Sequence, residues 1–507
     1  MSISRENILK LQNGSDVRGV AVGGVEGQPV TLTGEAANRI AAAFARWLSE
    51  KSGKPIHELK IGVGHDSRIS APALGREVLA GLLAQGVGAY DCGLASTPSM
   101  FMSIVFPETA FDGSIMITAS HLPYNRNGLK FFTPDGGLEK ADITALLETA
   151  ALLSAQDADL SAAGKADLIP LYAKSLCEKI RLGVNAQDYD HPLAGLKIVV
   201  DAGNGAGGFF VEQVLAPLGA DTTGSQFLEP DGMFPNHIPN PENKAAMDAI
   251  RHATVSNHAD LGIIFDTDVD RMSAVLHDGT EVCRDAIIAM MAAILAKDYP
   301  GSTIVTDSVT SDKLTDFLEN TLRLRHHRFK RGYKNVINES KRLNDAGTVS
   351  PLAIETSGHG ALSENYFLDD GAYLAVKLLI AAANARKQGK QVDSLIEKLP
   401  RQFECREYRM NLLGENFKAY GQEVLKVFEG RAKAAGYTVA PNSYEGVRLS
   451  FTGTETQGWM LLRLSLHDPL MPLNLEGNRP GDCDRIVTIA KELLTGFDRL
   501  DLSPLAK

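Results

Sequence analysis

Three carboxylates at alternate positions, Asp266, Asp268 and Asp270, followed directly by Arg271, carry the most pointed chemical signal in the chain. Three such groups just past a strand cannot all stay ionised side by side without a compensating cation. Hard oxygen ligands of this kind suit Mg²⁺, which takes a few protein ligands and leaves room for a substrate phosphate. The bland alternative is a solvated acidic loop. An EF-hand is disfavoured, because Arg271 stands at the glycine position and His277 at the place of the bidentate glutamate. A second segment, Thr118-Ala119-Ser120-His121-Leu122-Pro123, sets a hydroxyl beside an imidazole in a loop after a strand, where backbone amides can face an anion. An ST-type turn ending at a proline accounts for the same residues. No G-x-S-x-G elbow surrounds Ser120, so acyl-transfer chemistry has little support.

Two further patterns are less specific. Gly203-Asn204-Gly205-Ala206-Gly207-Gly208 is a literal G-x-G-x-x-G with Asp221 beyond it, as in a dinucleotide site, yet Asp201 at the strand end would repel a pyrophosphate. A tight turn that lets helix and sheet pack closely is the simpler reading. Arg463-Leu464-Ser465-Leu466-His467-Asp468-Pro469 puts a guanidinium and a hydroxyl on one side of a strand end, suited to gripping a phosphate or merely to an exposed strand edge. Asp266-Thr267-Asp268-Val269 also fits the D-x-D-x-(T/V) pattern of haloacid-dehalogenase-like phosphatases. In those proteins it ends the first strand of the domain, whereas here at least four strands precede it.

Strands and helices alternate around these loops. Leu59–Val63 reads as a strand ending in Gly64-His65-Asp66-Ser67-Arg68, with a helix over Ala71–Gln85. Ser114–Ile117 is a short apolar strand ahead of Ser120, and a helical segment spans about Leu171–Leu182. Leu196–Val200 opens a second strand, turn and helix unit, with its helix near Phe209 to Ala216, and Asp260–Phe265 leads into Asp266. A third block holds a helix near Asp285–Ala296, a strand Thr303–Thr306, a helix Ser311–Thr321 and the segment Lys330-Arg331-Gly332-Tyr333-Lys334. This alternation predicts parallel sheets covered on both faces. In the last hundred or so residues, Gly446–Phe451 and Trp459–Leu466 predict antiparallel neighbours. The fold class is therefore α/β: three related mixed α/β domains (1–168, 169–280, 281–400) plus a C-terminal α+β domain (401–507), expected around a central cleft.

Composition bounds the partners. The chain has 507 residues, 44% hydrophobic and 22% charged, and a formal charge of −11. It is globular rather than disordered, and the acidic balance argues against nucleic acid or an anionic membrane face, so an anionic small molecule needs a locally basic pocket. Five scattered cysteines without CxxC spacing imply neither a disulfide framework nor a cysteine zinc site. Arg5, Glu6 and Lys10 interrupt any signal-peptide core, and the longest apolar run, Ala286 to Ala296, is short of a membrane span. A cytoplasmic protein is expected.

Taken in order, these segments resemble the α-D-phosphohexomutase superfamily, from about residue 13 to 477. Asn13–Gly19 is loosely similar to the family's F-G-T-x-G-x-R-G entry, and Gly64–Arg68 to its G-x-D-x-R turn. Thr118–Phe132 resembles the phosphoserine loop, Asp266–Arg271 the metal loop D-G-D-x-D-R, and Pro230–Pro241 a further shared stretch. Glu355-Thr356-Ser357-Gly358-His359-Gly360 resembles the sugar-recognition segment, and Arg463–Pro469 the C-terminal phosphate loop. The resemblance implies a phosphorylated Ser120 and one Mg²⁺ held by Asp266, Asp268, Asp270 and an oxygen of that phosphate. Arg18, Arg271 and Lys130 would balance phosphoryl charge, and Lys130 or His121 would assist proton movement. Tyr333, Lys334, Glu355, Ser357 and His359 would bind the sugar, with Arg463 and Ser465 on the phosphate that does not react. The implied reaction exchanges hexose 1-phosphate and hexose 6-phosphate, of glucose or mannose or both, with hexose 1,6-bisphosphate as intermediate and activator, in a monomer or homodimer.

Five positions depart from the pattern or weaken it. Ile354 replaces a glycine in the sugar segment and Leu122 an asparagine in the serine loop, while Leu464, Leu466 and His467 replace proline, asparagine and threonine in the phosphate loop. A hydrogen bond to a charged group is worth about 1.5–3 kcal/mol, so the distal phosphate site is expected to be weaker or differently shaped. A bisphosphate held loosely could leave before it turns, which makes a bisphosphate-forming phosphotransferase the alternative on the same fold. From other classes, an NAD-dependent oxidoreductase would use the Gly203–Gly208 turn, and a non-catalytic sugar-phosphate sensor would leave Ser120 dispensable.

Overall fold

The computed structural model describes residues 3–441, 443–465 and 468–506. Leu466 and His467, two of the departures in the C-terminal phosphate loop, lie outside the described residues. The chain forms two compact units: one runs to Cys283 and takes in Ser357–Ser394, and the other comprises Arg284–Thr356 and everything from Leu395 onward.

In the first unit, one sheet has the strand order Gln12–Asn13, Asp16–Val20, Arg126–Thr133, Gly113–Ile117, Lys60–His65, Gly88–Leu94, Gly164–Lys165. Lys60–His65 runs parallel to both neighbours, as the alternation predicts, but Arg126–Thr133 is antiparallel to Gly113–Ile117 and to Asp16–Val20. The sheet is thus mixed rather than parallel. Only the eight residues Thr118–Asn125 lie between Ile117 and Arg126, too few for a crossover helix, so the chain must turn back on itself. That return places Ser120 at the tip of a hairpin. The helices Gly34–Ser52 and Ala71–Leu83 pack on this sheet through Ile40, Phe44, Leu74 and Val78, all buried.

A second sheet has the order Glu281–Val282, Met272–Leu276, Leu261–Phe265, Ile198–Asp201. Ile198–Asp201 and Leu261–Phe265 are parallel, and Met272–Leu276 returns antiparallel, so Asp266–Arg271 is again a hairpin tip. The expected helix near Phe209–Ala216 is a π-helical turn, Phe210–Leu215, closed by a 3₁₀ turn at Ala216–Leu218, where Pro217 withholds an amide. The helix expected over Leu171–Leu182 starts earlier, at Leu168, with Pro170 in its first turn, where a missing N–H costs nothing. It packs against Gly371–Lys387, and the hydroxyl of Tyr172 donates to Asp370 at 2.5 Å.

The second unit carries parallel strands Arg325–Arg328, Thr303–Thr306 and Leu352–Ile354. Its other sheet, in the order Glu404–Asn411, Leu470–Gly477, Gln457–Leu462, Val447–Thr452, Thr438–Val439, is antiparallel and covered by the helices Phe417–Ala434 and Asp482–Leu494. Arg448 ties the two sheets of this unit together. It lies 3.8 Å over the Trp459 ring and donates to the carbonyls of Ser308 and Thr310. All five cysteines are free thiols, and among the described residues no helix is long and apolar enough to cross a membrane.

Candidate active site

Two hairpin tips of the first unit meet. The hydroxyl of Ser120 donates to Asp266 Oδ2 at 2.8 Å, and Ser120 adopts a left-handed φ of +49°. Lys130, on the return strand, reaches across to Asp268 Oδ2 at 2.9 Å and Asp270 Oδ2 at 2.5 Å. Arg271 lies 4.0 Å from both Asp266 and Asp270, and Nδ1 of His359 is 3.8 Å from Asp270. His121 follows Ser120, with its Nδ1 3.3 Å from the serine hydroxyl, and Arg18 donates to the carbonyl of Ala119 at 2.9 Å.

Ligand atoms of Asp266, Asp268 and Asp270 lie within 4.8 Å of one another, and all three residues are buried. Oδ1 of Asp268 and Oδ1 of Asp270 are buried with no hydrogen-bond partner among the described residues. Buried carboxylate oxygens left in this way are costly unless a cation satisfies them, and all-oxygen donors fit Mg²⁺. The site therefore suits the expected ion. Electrostatics agree: burial, with Asp270 and Asp268 alongside, pushes the Asp266 carboxyl well above the usual range. Burial would raise Asp270 as well, but Lys130, His359 and Arg271 hold it below that range. Burial and the cations Arg271 and Arg18, with His359, bring the His121 imidazole down to about 2, so it is neutral.

The glycine-rich turn is used for close approach. A Cβ on Gly205 would lie 2.6 Å from the carbonyl oxygen of Thr267, and one on Gly208 would lie 2.3 Å from that of Leu228. Asp201 accepts from Gln226 Nε2 at 2.7 Å and faces His237 Nε2 at 3.0 Å. This turn braces the acid-rich loop from behind.

The remaining expected residues divide between the units. Ser357 and His359 belong to the first, where the Ser357 hydroxyl is buried without a hydrogen-bond partner among the described residues. Backbone pairing of Arg271 with His359 ties that segment to the acid-rich loop. In the second unit, Glu355 accepts the Gly332 amide at 2.6 Å, just ahead of Tyr333 and Lys334 at the start of the helix Tyr333–Asp345. Arg463 lies 3.6 Å from Glu445, whose other oxygen accepts the Ser308 hydroxyl at 2.5 Å and the Arg331 amide at 3.1 Å. Ser465 accepts the Asp468 amide at 3.2 Å. Leu464 packs against the apolar core, which explains a leucine there.

Three partners were not singled out from the sequence. Thr97 donates to Asp268 Oδ2 at 2.5 Å, Asp369 Oδ2 lies 2.5 Å from His359 Nδ1, and Glu445 faces Arg463. Asp369 had a usable local signal: in Asp369-Asp370-Gly371 the second aspartate caps the following helix, accepting the Tyr373 amide, and leaves the first free for another task. Thr97 and Glu445 had none.

Sequence models of the phosphoglucomutase/phosphomannomutase α/β/α domains I, II and III match residues 10–155, 171–279 and 284–403 in order. The chain belongs to the phosphoglucomutase/phosphomannomutase family. It is 27% identical to a phosphomannomutase/phosphoglucomutase of Pseudomonas putida over 91% of this chain and 94% of that one. It is 29% identical to a protein named phosphohexose mutases from Xanthomonas campestris, over 92% and 95%. A crystal structure of a phosphoglucomutase/phosphomannomutase family protein from Burkholderia thailandensis is 25% identical, covers 97% of this chain and 99% of that one, and has a TM-score of 0.76. The phosphoglucomutase/phosphomannomutase fold, three α/β domains and a C-terminal sheet domain, is that of this chain, and the protein is a phosphohexomutase acting on small phosphosugars.

Proposed function

We propose that the chain interconverts hexose 1-phosphate and hexose 6-phosphate, of glucose or mannose or both, with Ser120 as phosphoryl carrier and hexose 1,6-bisphosphate as intermediate and activator. The observation that carries this reading is the serine hydroxyl 2.8 Å from Asp266, in a nest of buried carboxylates with unsatisfied oxygens. Asp266, Asp268, Asp270 and an oxygen of the seryl phosphate would hold Mg²⁺. The ion, when bound, neutralises charge on the transferred group.

The chain's own residues do the rest. Breaking the seryl O–P bond and forming a P–O bond to a sugar hydroxyl leaves a serine oxygen to be protonated and a sugar proton to be removed. His121 and Lys130 are the groups placed for these transfers. Arg18 and Arg271 offset the equatorial oxygens, and Tyr333, Lys334, Glu355, Ser357 and His359, all from the domain we place at 281–400, take the sugar. Arg463 and Ser465, in 401–507, hold the idle phosphate, with Ser120 and the metal residues in 1–168 and 169–280.

A second reading, release of the bisphosphate as product, is favoured by one observation: Arg463 faces Glu445, so an incoming phosphate meets a guanidinium already engaged. Phosphorus NMR of the enzyme with Mg²⁺, glucose 1-phosphate and catalytic bisphosphate separates the two. Clean conversion to glucose 6-phosphate is expected. Bisphosphate accumulating in proportion to turnover would favour the second reading, and no exchange with either glucose or mannose phosphates would refute both.

A further inference from the structure

Arg68 is 1% exposed, yet it neither belongs to the acidic trio nor meets solvent. Its guanidinium spends its donors on the backbone of a single loop. Nη2 donates to the carbonyls of Ser120 and Leu122, the latter at 2.6 Å, and Nη1 donates to those of Pro123 at 2.7 Å and Arg126 at 3.0 Å. Nε lies 3.3 Å from Asp66 Oδ2. Asp66, fully buried, also accepts the Arg68 amide at 2.9 Å and the Thr118 hydroxyl at 2.7 Å. Thr118 Oγ1 in turn accepts the Ser120 amide at 2.9 Å. The network is closed: both the amide and the carbonyl of Ser120 are fixed, one through Thr118 and Asp66, the other by Arg68 itself.

A serine at φ +49° sits in a region that L-residues avoid, and it persists only where the surroundings over-determine it. Four carbonyls converging on one side chain demand a planar fork of donors. A lysine, with three donors on a single nitrogen, cannot match that geometry. We propose that Arg68 is the positioning residue of the phosphoryl carrier: it holds the Ser120 loop in the left-handed turn that aims the hydroxyl at Asp266. The inference rests on Ser120 being the carrier. Leu122 fits this role, since the loop contributes its backbone carbonyl to Arg68 whatever its side chain, so loss of a polar side chain there is tolerated. A displacement of about 1 Å at a reacting atom can cost about 100-fold in rate, the scale on which such a device acts.

The test uses the full-length protein with Mg²⁺ and glucose 1,6-bisphosphate, comparing wild type with Arg68→Lys, Arg68→Ala and Thr118→Val. Each is followed by steady-state kinetics on glucose 1-phosphate, by intact mass for the phosphorylated fraction, and by circular dichroism. For Arg68→Ala, kcat is expected to fall about 100-fold with KM changed by less than about threefold, slowed loading of Ser120, and partial rescue by guanidinium ion. Arg68→Lys, which keeps the charge, is expected to lose at least about tenfold in kcat and to gain nothing from guanidinium. Should Arg68→Ala fail to fold, Thr118→Val decides, because it keeps the shape and removes only the hydroxyl between Asp66 and the Ser120 amide; about a tenfold loss in kcat at constant KM is expected. Folded variants with wild-type kcat and loading would overturn the proposal, as would a loss of kcat without guanidinium rescue that tracks only loss of folded protein. If wild type carries no phosphate on Ser120, the carrier reading fails; if it does and the variants load and turn over normally, only the role of Arg68 fails.

Discussion

Lys130 neutralises two buried carboxylates at once, Asp268 and Asp270, and removing one partner of a buried ion pair costs about 3–5 kcal/mol because the other charge stays behind. Lys130→Met should therefore lower both kcat and thermal stability, and Mg²⁺ should raise the Tm of the variant by more than it raises that of wild type. Calorimetry with and without the ion checks this; equal metal shifts would contradict it. Glu445 poses the opposite case. Its carboxylate engages Arg463 and accepts from Ser308 and from the Arg331 amide, positions that an anion would otherwise use. Glu445→Gln should free Arg463 and lower the KM for sugar phosphate a few-fold, read from initial rates, whereas an increase in KM would mean that the carboxylate helps to build the site.

At the level of elements, what was legible and what was not follows from sequence separation. The strand Leu261–Phe265 and the carboxylates after it are a local pattern, as is the hydroxyl after Gly113–Ile117, and both lie where the alternation of apolar residues places them. Thr97 and Asp268 are 171 residues apart, and Lys130 and Asp270 are 140 apart, so these partnerships are properties of packing. Of the two, Lys130 was found through a family pattern and Thr97 was not. Both sheets of the first unit also mix directions, because short hairpins after Ile117 and Phe265 override the parallel arrangement that strand and helix alternation suggests.

Elements also set the pH response. Asp285 opens the helix Asp285–Leu295 and accepts from the Ser311 amide and from Gln402; burial, with Glu476 nearby, pushes its carboxyl up to about 7. Burial likewise takes Asp370 to about 6. An unfolded chain releases these protons near the ordinary value of 3.8, so the folded state binds more protons above that pH and stability falls as pH rises towards 7. Asp285→Asn, which keeps an acceptor, should flatten this dependence in Tm measurements between the ordinary value of 3.8 and the raised value of about 7; an unchanged slope would exclude Asp285 as its source.

For the molecule as a whole, a net charge of −11 coexists with the cations proposed to meet phosphate: Arg18, Lys130 and Arg271 in the first unit, Lys334 and Arg463 in the second. The family likeness extends over nearly the whole chain and its relatives, which makes the departures at Leu122, Ile354 and Leu464 local changes within a shared frame. The central claim is that Ser120 and the acid-rich loop together hold a transferable phosphoryl group. Its most direct measurement is intact mass, with peptide mapping, after incubation with glucose 1,6-bisphosphate and Mg²⁺, for wild type, Ser120→Ala and Asp268→Asn. One phosphate mapped to Ser120 and discharged by glucose 1-phosphate is predicted for wild type, none for Ser120→Ala, and slow loading for Asp268→Asn. A Ser120→Ala protein that still isomerises sugar phosphates, or a wild type that turns over with its phosphate on another residue, would contradict it.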